Sequence, residues 1–160
     1  MTPTVRTGVV LGALVVAWTF VMGLTGWYKD PALLNLFFLV VLLEILAIYY
    51  ALRQTAAVNP YGQQLVTGTT VAAVAAVIIF LGSLLFTTVA FPDYFQELQR
   101  SGRELFQRQG LTEEEIARRL EQAAAWQTPV MNALQGVIGT LATGVVTSAI
   151  FATWLRKRTA

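Results

Sequence analysis

Four long apolar runs divide the chain: Thr7–Tyr28, Ala32–Leu52, Leu65–Ala90 and Pro129–Leu155. A helix rises 1.5 Å per residue, so some 20 apolar residues cross the roughly 30 Å of hydrocarbon in a bilayer. Each run meets that length. Aromatic and basic residues mark several run ends, with Trp27 and Tyr28, Tyr49, Tyr50 and Arg53, and Trp154 before Arg156, Lys157 and Arg158. Such rings favour the headgroup level. Arg6 followed by an apolar run also fits a secretory signal, but the run is longer than a usual signal core and no small-x-small cleavage site precedes Trp27.

The connections differ in length. Trp27 to Pro31 reads as a tight turn, with Pro31 in the first turn of the next helix. Gln54–Gln64 is a polar connector containing Asn59-Pro60 and Gly62. Pro92–Gln127 is long enough for two short helices. In the first, Tyr94, Phe95, Leu98, Leu105 and Phe106 recur at helical spacing, and Gly110 is a natural stop. In the second, Thr112 caps the helix, Glu115 completes a capping box, and Leu111 can staple onto Ile116. Glu114–Arg118 and Glu115–Arg119 are pairs at spacing four. The predicted fold is therefore a single all-α domain over 1–160. It is a polytopic membrane protein of four spans in two antiparallel hairpins, with two short extramembrane helices between spans three and four.

Composition agrees with this reading. Hydrophobic residues make up 56% of the 160 and charged residues only 12%, about half the charged share of a soluble domain. Cysteine and histidine are absent. That removes disulfides, thiolate nucleophiles, histidine bases and the usual zinc, haem and iron–sulfur ligands. No base–nucleophile pairing is visible, and no basic stripe is interleaved with aromatics. The sequence thus predicts no enzyme, no catalytic residue, no cofactor, no metal and no nucleic-acid partner. The expected surroundings are the lipid bilayer, with a membrane-protein partner or a homo-oligomer.

Glu44 is the one charged residue inside the four runs. A carboxylate in hydrocarbon is unfavourable by about 2.5 kcal/mol or more. It must face a protein interior, take a partner or stay protonated. The functional alternative is a proton or cation site. The structural alternative is a hydrogen bond to Thr, Ser or Asn of another span. Small residues suggest close helix contacts: Gly8 and Gly12 in the first run, and Gly68, Ala72 and Ala76 in the third. The fourth run carries Gly136, Thr140, Gly144 and Ser148 at a strict spacing of four. Packing within the chain or a dimer face both suit that stripe, and its two hydroxyls are donors for Glu44. The charged helices read as solvated, or, through Arg118 and Arg119, as a partner surface.

Four spans put both ends on one side. That side carries Arg6, Arg53, Arg156, Lys157 and Arg158 in short segments, against Lys29 on the other. The positive-inside rule then predicts cytoplasmic termini in a bacterial inner membrane, with 92–127 in the periplasm.

The third run opens on a Gly-containing polar stretch, Gln63–Gly68, and the extramembrane segment carries Gly-Leu-Thr-Glu-Glu-Glu-Ile at Gly110–Ile116. Thr128-Pro129 leads into the last run, which has a basic end. In this order of features the chain resembles the bacterial family known as domain of unknown function 4199. The resemblance implies a small four-span integral membrane protein and carries over no activity, cofactor or catalytic residue. Two functions follow as expectations: a non-enzymatic scaffold or accessory subunit, or a small proton- or cation-coupled transporter or channel component using Glu44.

Overall fold

A computed structural model describes residues 1–30 and 32–157. The turn proline Pro31 and the terminal base Arg158 lie outside the described residues. Every regular element among those described is helical: α1 (Pro3–Thr25), α2 (Leu39–Thr55), α3 (Tyr61–Leu85), α4 (Tyr94–Arg108), α5 (Glu113–Ala124) and α6 (Pro129–Ala152). Short 3₁₀ turns at Trp27–Lys29 and Leu34–Phe38 join α1 to α2, and a π-helical turn, Phe86–Ala90, extends α3.

Local chemistry sets these ends. Thr2 accepts from the Val5 N–H, and Pro3 fills the first turn, so α1 starts before the apolar run does. Gly26 closes it in the left-handed region at φ 70°. Pro60 precedes α3, which therefore takes up Tyr61–Gln64 from the expected connector. At its far end the Phe91 N–H reaches back five residues to the Phe86 carbonyl at 2.8 Å. The Thr87 and Thr88 hydroxyls donate to the Ser83 and Leu84 carbonyls, adding side-chain donors where the ladder widens.

Four helical segments are long and apolar enough to cross a membrane: Pro3–Thr25, Leu34–Thr55, Tyr61–Ala90 and Pro129–Ala152. Their outer faces remain apolar in the fold. Phe38 is 70% exposed, Val66 65%, Leu81 61% and Ile138 66%. Water would penalise such a surface, and hydrocarbon does not.

Helix α3 is the centre, with α1 on one side and α6 on the other, while α2 covers all three. A β-carbon at Gly8 would lie 2.8 Å from the Val71 carbonyl, and one at Gly12 would lie 3.1 Å from that of Ala75. Both contacts advance together along the chain, so α1 and α3 run parallel. Across α3 and α6 the order reverses: Gly68 meets Ser148, Ala72 meets Gly144, and Ile79 meets Gly136. Those helices run antiparallel. Leu11, Val15, Ile48, Leu52, Val71, Ala75 and Ile79 fill the space between.

At the two ends the bundle is tied by polar groups. Gln64 is fully buried. Its Nε2 donates to the Leu52 carbonyl at 3.0 Å and the Leu155 carbonyl at 2.5 Å, and its Oε1 accepts from Thr55 at 2.7 Å. One side chain thus joins α2, α3 and the end of α6. At the other end Tyr28, Phe86 and Tyr94 form a buried aromatic cluster. Tyr28 is only 1% exposed, because α4 lies over it, so it is not a headgroup anchor. Glu97 of α4 accepts from Tyr28 and, at 2.8 Å, from Lys29.

Helices α4 and α5 pack on one another through buried Ile116 and through Glu113, which accepts from Arg103 at 2.9 Å and Gln107 at 3.1 Å. The capping box forms, with Glu115 accepting from the Thr112 N–H and hydroxyl. The expected pairs at spacing four do not close. Among the described residues the ion pairs are Lys29–Glu97 and Arg103–Glu113. Glu115 is turned to the cap, and the Arg119 guanidinium lies over the Phe106 ring at 5.5 Å.

Candidate functional site

Glu44 sits in the second turn of α2 on the face that turns inward, one helical turn before buried Ile48 and two before buried Leu52. That periodicity places its carboxyl in the bundle, where it is 4% exposed. Oε1 lies against Gly144 of α6, where a β-carbon would be 3.5 Å away in ordinary contact and would clash with Ala72 instead. Oε1 has no hydrogen-bond partner in the fold, the sole buried side-chain polar atom in that position among the described residues. The Ser148 hydroxyl donates instead to the Gly144 carbonyl of its own helix at 2.6 Å. An unpaired buried polar atom is unfavourable by about 1–3 kcal/mol.

The carboxyl borders a cavity of about 360 Å³ that all four apolar helical segments line. Val15, Val16 and Thr19 come from α1, and Phe37, Val40, Val41 and Glu44 from the second segment. Ile79, Gly82, Ser83 and Phe86 come from the third. Helix α6 gives two adjacent rows at spacing four: Asn132, Gly136 and Thr140, and Gln135, Gly139 and Thr143. Tyr94 of α4 completes the wall. The Asn132 amide donates to Ser83 Oγ at 2.9 Å, bridging α6 and α3. A recess of about 10 Å³ adjoins the cavity between Leu11, Val15, Val40, Glu44, Ile79 and Thr140.

The lining is apolar and aromatic with a few converging polar groups and one acid, the usual make-up of a small-molecule site of this volume. Among the described residues no group of three or more His, Cys, Asp or Glu side chains could hold a metal ion. A larger hollow of about 670 Å³ lies between α1 and α2, with Arg6, Thr7 and Gln54 among its polar groups. It contains no side chain with an unpaired buried polar atom.

The family described as Protein of unknown function (DUF4199) matches residues 6–157. The chain belongs to that family. No curated protein and no solved structure matches it.

In this DUF4199 protein the residues singled out from the sequence fall into three places. Glu44, Gly136 and Thr140 line the cavity, with Gly144 and Ala72 packed together beside Glu44. Gly8 and Gly12 lie on the α1–α3 seam, Gly68 and Ser148 on the α3–α6 seam, and Ala76 is buried on α3. Arg118 and Arg119 are exposed on α5, outside the cavity lining. Sequence reasoning assigned no site role to Asn132, Ser83, Gln135, Thr143 or Tyr94. Asn132 carried a usable signal, since it continues the Gly136–Ser148 stripe by one more step of four. Tyr94 carried none, because its position depends on how α4 docks.

Outside the four long apolar segments, Glu97 is held below the usual carboxylate range by the hydrogen bond from Lys29 and then by that from Tyr28. Glu115 is likewise lowered by the backbone N–H and hydroxyl of Thr112.

Proposed function

We propose that this DUF4199 protein is a non-enzymatic, multi-pass membrane protein that takes up a proton or cation at Glu44, as a small transporter or channel component. The observation that supports this most is the inward carboxyl oxygen, buried, without a donor, and beside a cavity reached by all four apolar helical segments. A proton or cation entering the cavity would meet the Glu44 carboxyl on its wall.

The test is flux into vesicles carrying the purified protein, with protons, sodium and potassium offered in turn under an imposed potential. Wild type should exceed empty vesicles for one of them, and Glu44→Gln should fall to the empty-vesicle level. Equal flux through wild type and Glu44→Gln would remove the reading.

The arrangement in the membrane is part of the same proposal. Two antiparallel hairpins, α1–α2 and α3–α6, cross a bacterial inner membrane with both termini cytoplasmic and α4–α5 in the periplasm. The excess of bases in the short segments at the termini supports it. Protease outside intact spheroplasts should cut near Arg118, and protection there would reverse the orientation. The accessory-subunit role would use the exposed outer face of α5 with Arg118. A membrane protein that co-purifies with wild type and is lost on Arg118→Glu would support it.

A further inference from the structure

We propose that the ligand of the Glu44 cavity is a protonated organic amine carrying an apolar or aromatic group, and not a bare metal cation. This rests on the reading of Glu44 as a cation site and names the cation.

Size is the first argument. The cavity of about 360 Å³ falls in the range of small-molecule pockets, whereas a desolvated metal ion needs only the space between its ligands. Charge is the second. The acid complement of the cavity is Glu44 alone. One carboxylate balances a singly charged ammonium and leaves a divalent metal ion with uncompensated charge in a buried site. The walls are the third argument. Phe37, Phe86 and Tyr94 line the same space. Ring faces attract cations and accept apolar groups, and they offer a small metal ion no oxygen except the tyrosine hydroxyl.

The empty valence on Glu44 narrows the class further. Oε1 is sealed in the bundle without a donor, and the same carboxyl lines the cavity, so an occupant there meets a carboxyl that lacks N–H partners as well as a positive charge. A primary or secondary ammonium supplies N–H and charge together, and such charge-assisted bonds are the strong ones. A quaternary ammonium supplies charge without N–H. Apolar parts of the ligand then have Val15, Val40, Val41 and Ile79 to lie against.

Gly139 gives an independent handle. It lines the cavity, and a β-carbon built there meets nothing within 4 Å. Gly139 is exposed, so Gly139→Phe would add a ring at the open side of the cavity, and it leaves the carboxyl in place.

The experiment is calorimetric titration of the full chain in lipid nanodiscs, with empty nanodiscs as the reference for partitioning. The probes are phenethylamine, its N,N,N-trimethyl derivative and phenethyl alcohol. Wild type should bind phenethylamine saturably at one site per chain. The trimethyl compound and the alcohol should bind about tenfold or more weakly, the loss expected for one charge-assisted hydrogen bond. Glu44→Gln and Gly139→Phe should each weaken phenethylamine binding to a similar degree or abolish it. Equal affinity for the amine and its trimethyl derivative would overturn the inference, as would unchanged amine binding in Glu44→Gln. The probe series uses wild type alone, so it decides the matter even if a variant does not fold. Glu44-dependent proton or sodium flux with no amine binding would overturn the organic-amine assignment and leave the cation site standing. Absence of both would overturn the two together.

Discussion

Replacing Gly8 by alanine tests the packing on which the cavity depends. The added methyl would lie 2.8 Å from the Val71 carbonyl oxygen and 2.7 Å from Val74 Cβ. Ordinary contact begins at 3.4 Å, so the shortfall is about 0.6 Å, since 3.4 less 2.8 is 0.6. One neighbour is backbone and the other is fixed to it, so no rotamer change relieves the clash. Helix α1 must move away from α3. A radial gap of about 0.5–1 Å forfeits a quarter to a half of the dispersion well of each atom pair it opens. Overpacking of this kind destabilises by about 1–3 kcal/mol. Alanine returns at most about 1 kcal/mol of helix propensity. Gly62→Ala is the control, because a β-carbon there meets nothing within 4 Å. Reversible unfolding in bicelles should show Gly8→Ala less stable than Gly62→Ala by about 1–3 kcal/mol. Equal stabilities would refute the close α1–α3 seam.

Other outcomes follow from the ends of the bundle. Gln64→Leu removes the donors to the Leu52 and Leu155 carbonyls, and the same unfolding assay should show a loss of roughly 1–3 kcal/mol; no loss would mean that the clamp contributes nothing. Glu97 is lowered in the folded state, so its bonds to Lys29 and Tyr28 stabilise the docked α4 above about pH 4.3, the ordinary carboxylate value. That contribution is lost as pH falls through the lower folded value. Lys29 is half exposed, so the effect on global stability is under about 1 kcal/mol. The near-ultraviolet dichroism of the Tyr28–Tyr94 cluster should therefore weaken on acidification in wild type and show no such step in Glu97→Gln, and identical titrations would contradict the latch.

Much of the frame was legible because hydrocarbon imposes it. A run of some 20 apolar residues has few alternatives to a helix, and the capping box at Thr112 and Glu115 names its own geometry. Glu44 was legible for the same reason, as a charge where charge is unfavourable. The seams were not legible in full. Gly8 and Gly12 announce that something approaches closely, but a small residue does not name its partner, and the partner is α3. The stripe on α6 split its duties, with Gly144 and Ser148 packed against α3 while Gly136 and Thr140 reach the cavity. Glu97 looked like any acid on a solvated helix until α4 was laid over Tyr28. The pair Glu115–Arg119 failed because a backbone N–H at the cap and an aromatic ring competed for the same side chains, and nothing in the structure explains the open Glu114–Arg118 pair.

The central claim is that Glu44 waits, unpaired, for a positively charged donor. The carboxyl carbon of Glu44 reports on that most directly. Among seven glutamates, its carbon-13 signal in nanodiscs is assigned by its disappearance in Glu44→Gln. On titration with phenethylamine that one resonance should move and saturate while the other six stay fixed. A Glu44 signal that does not move, under addition of the amine, of sodium or potassium, or under a change of pH, would contradict the account.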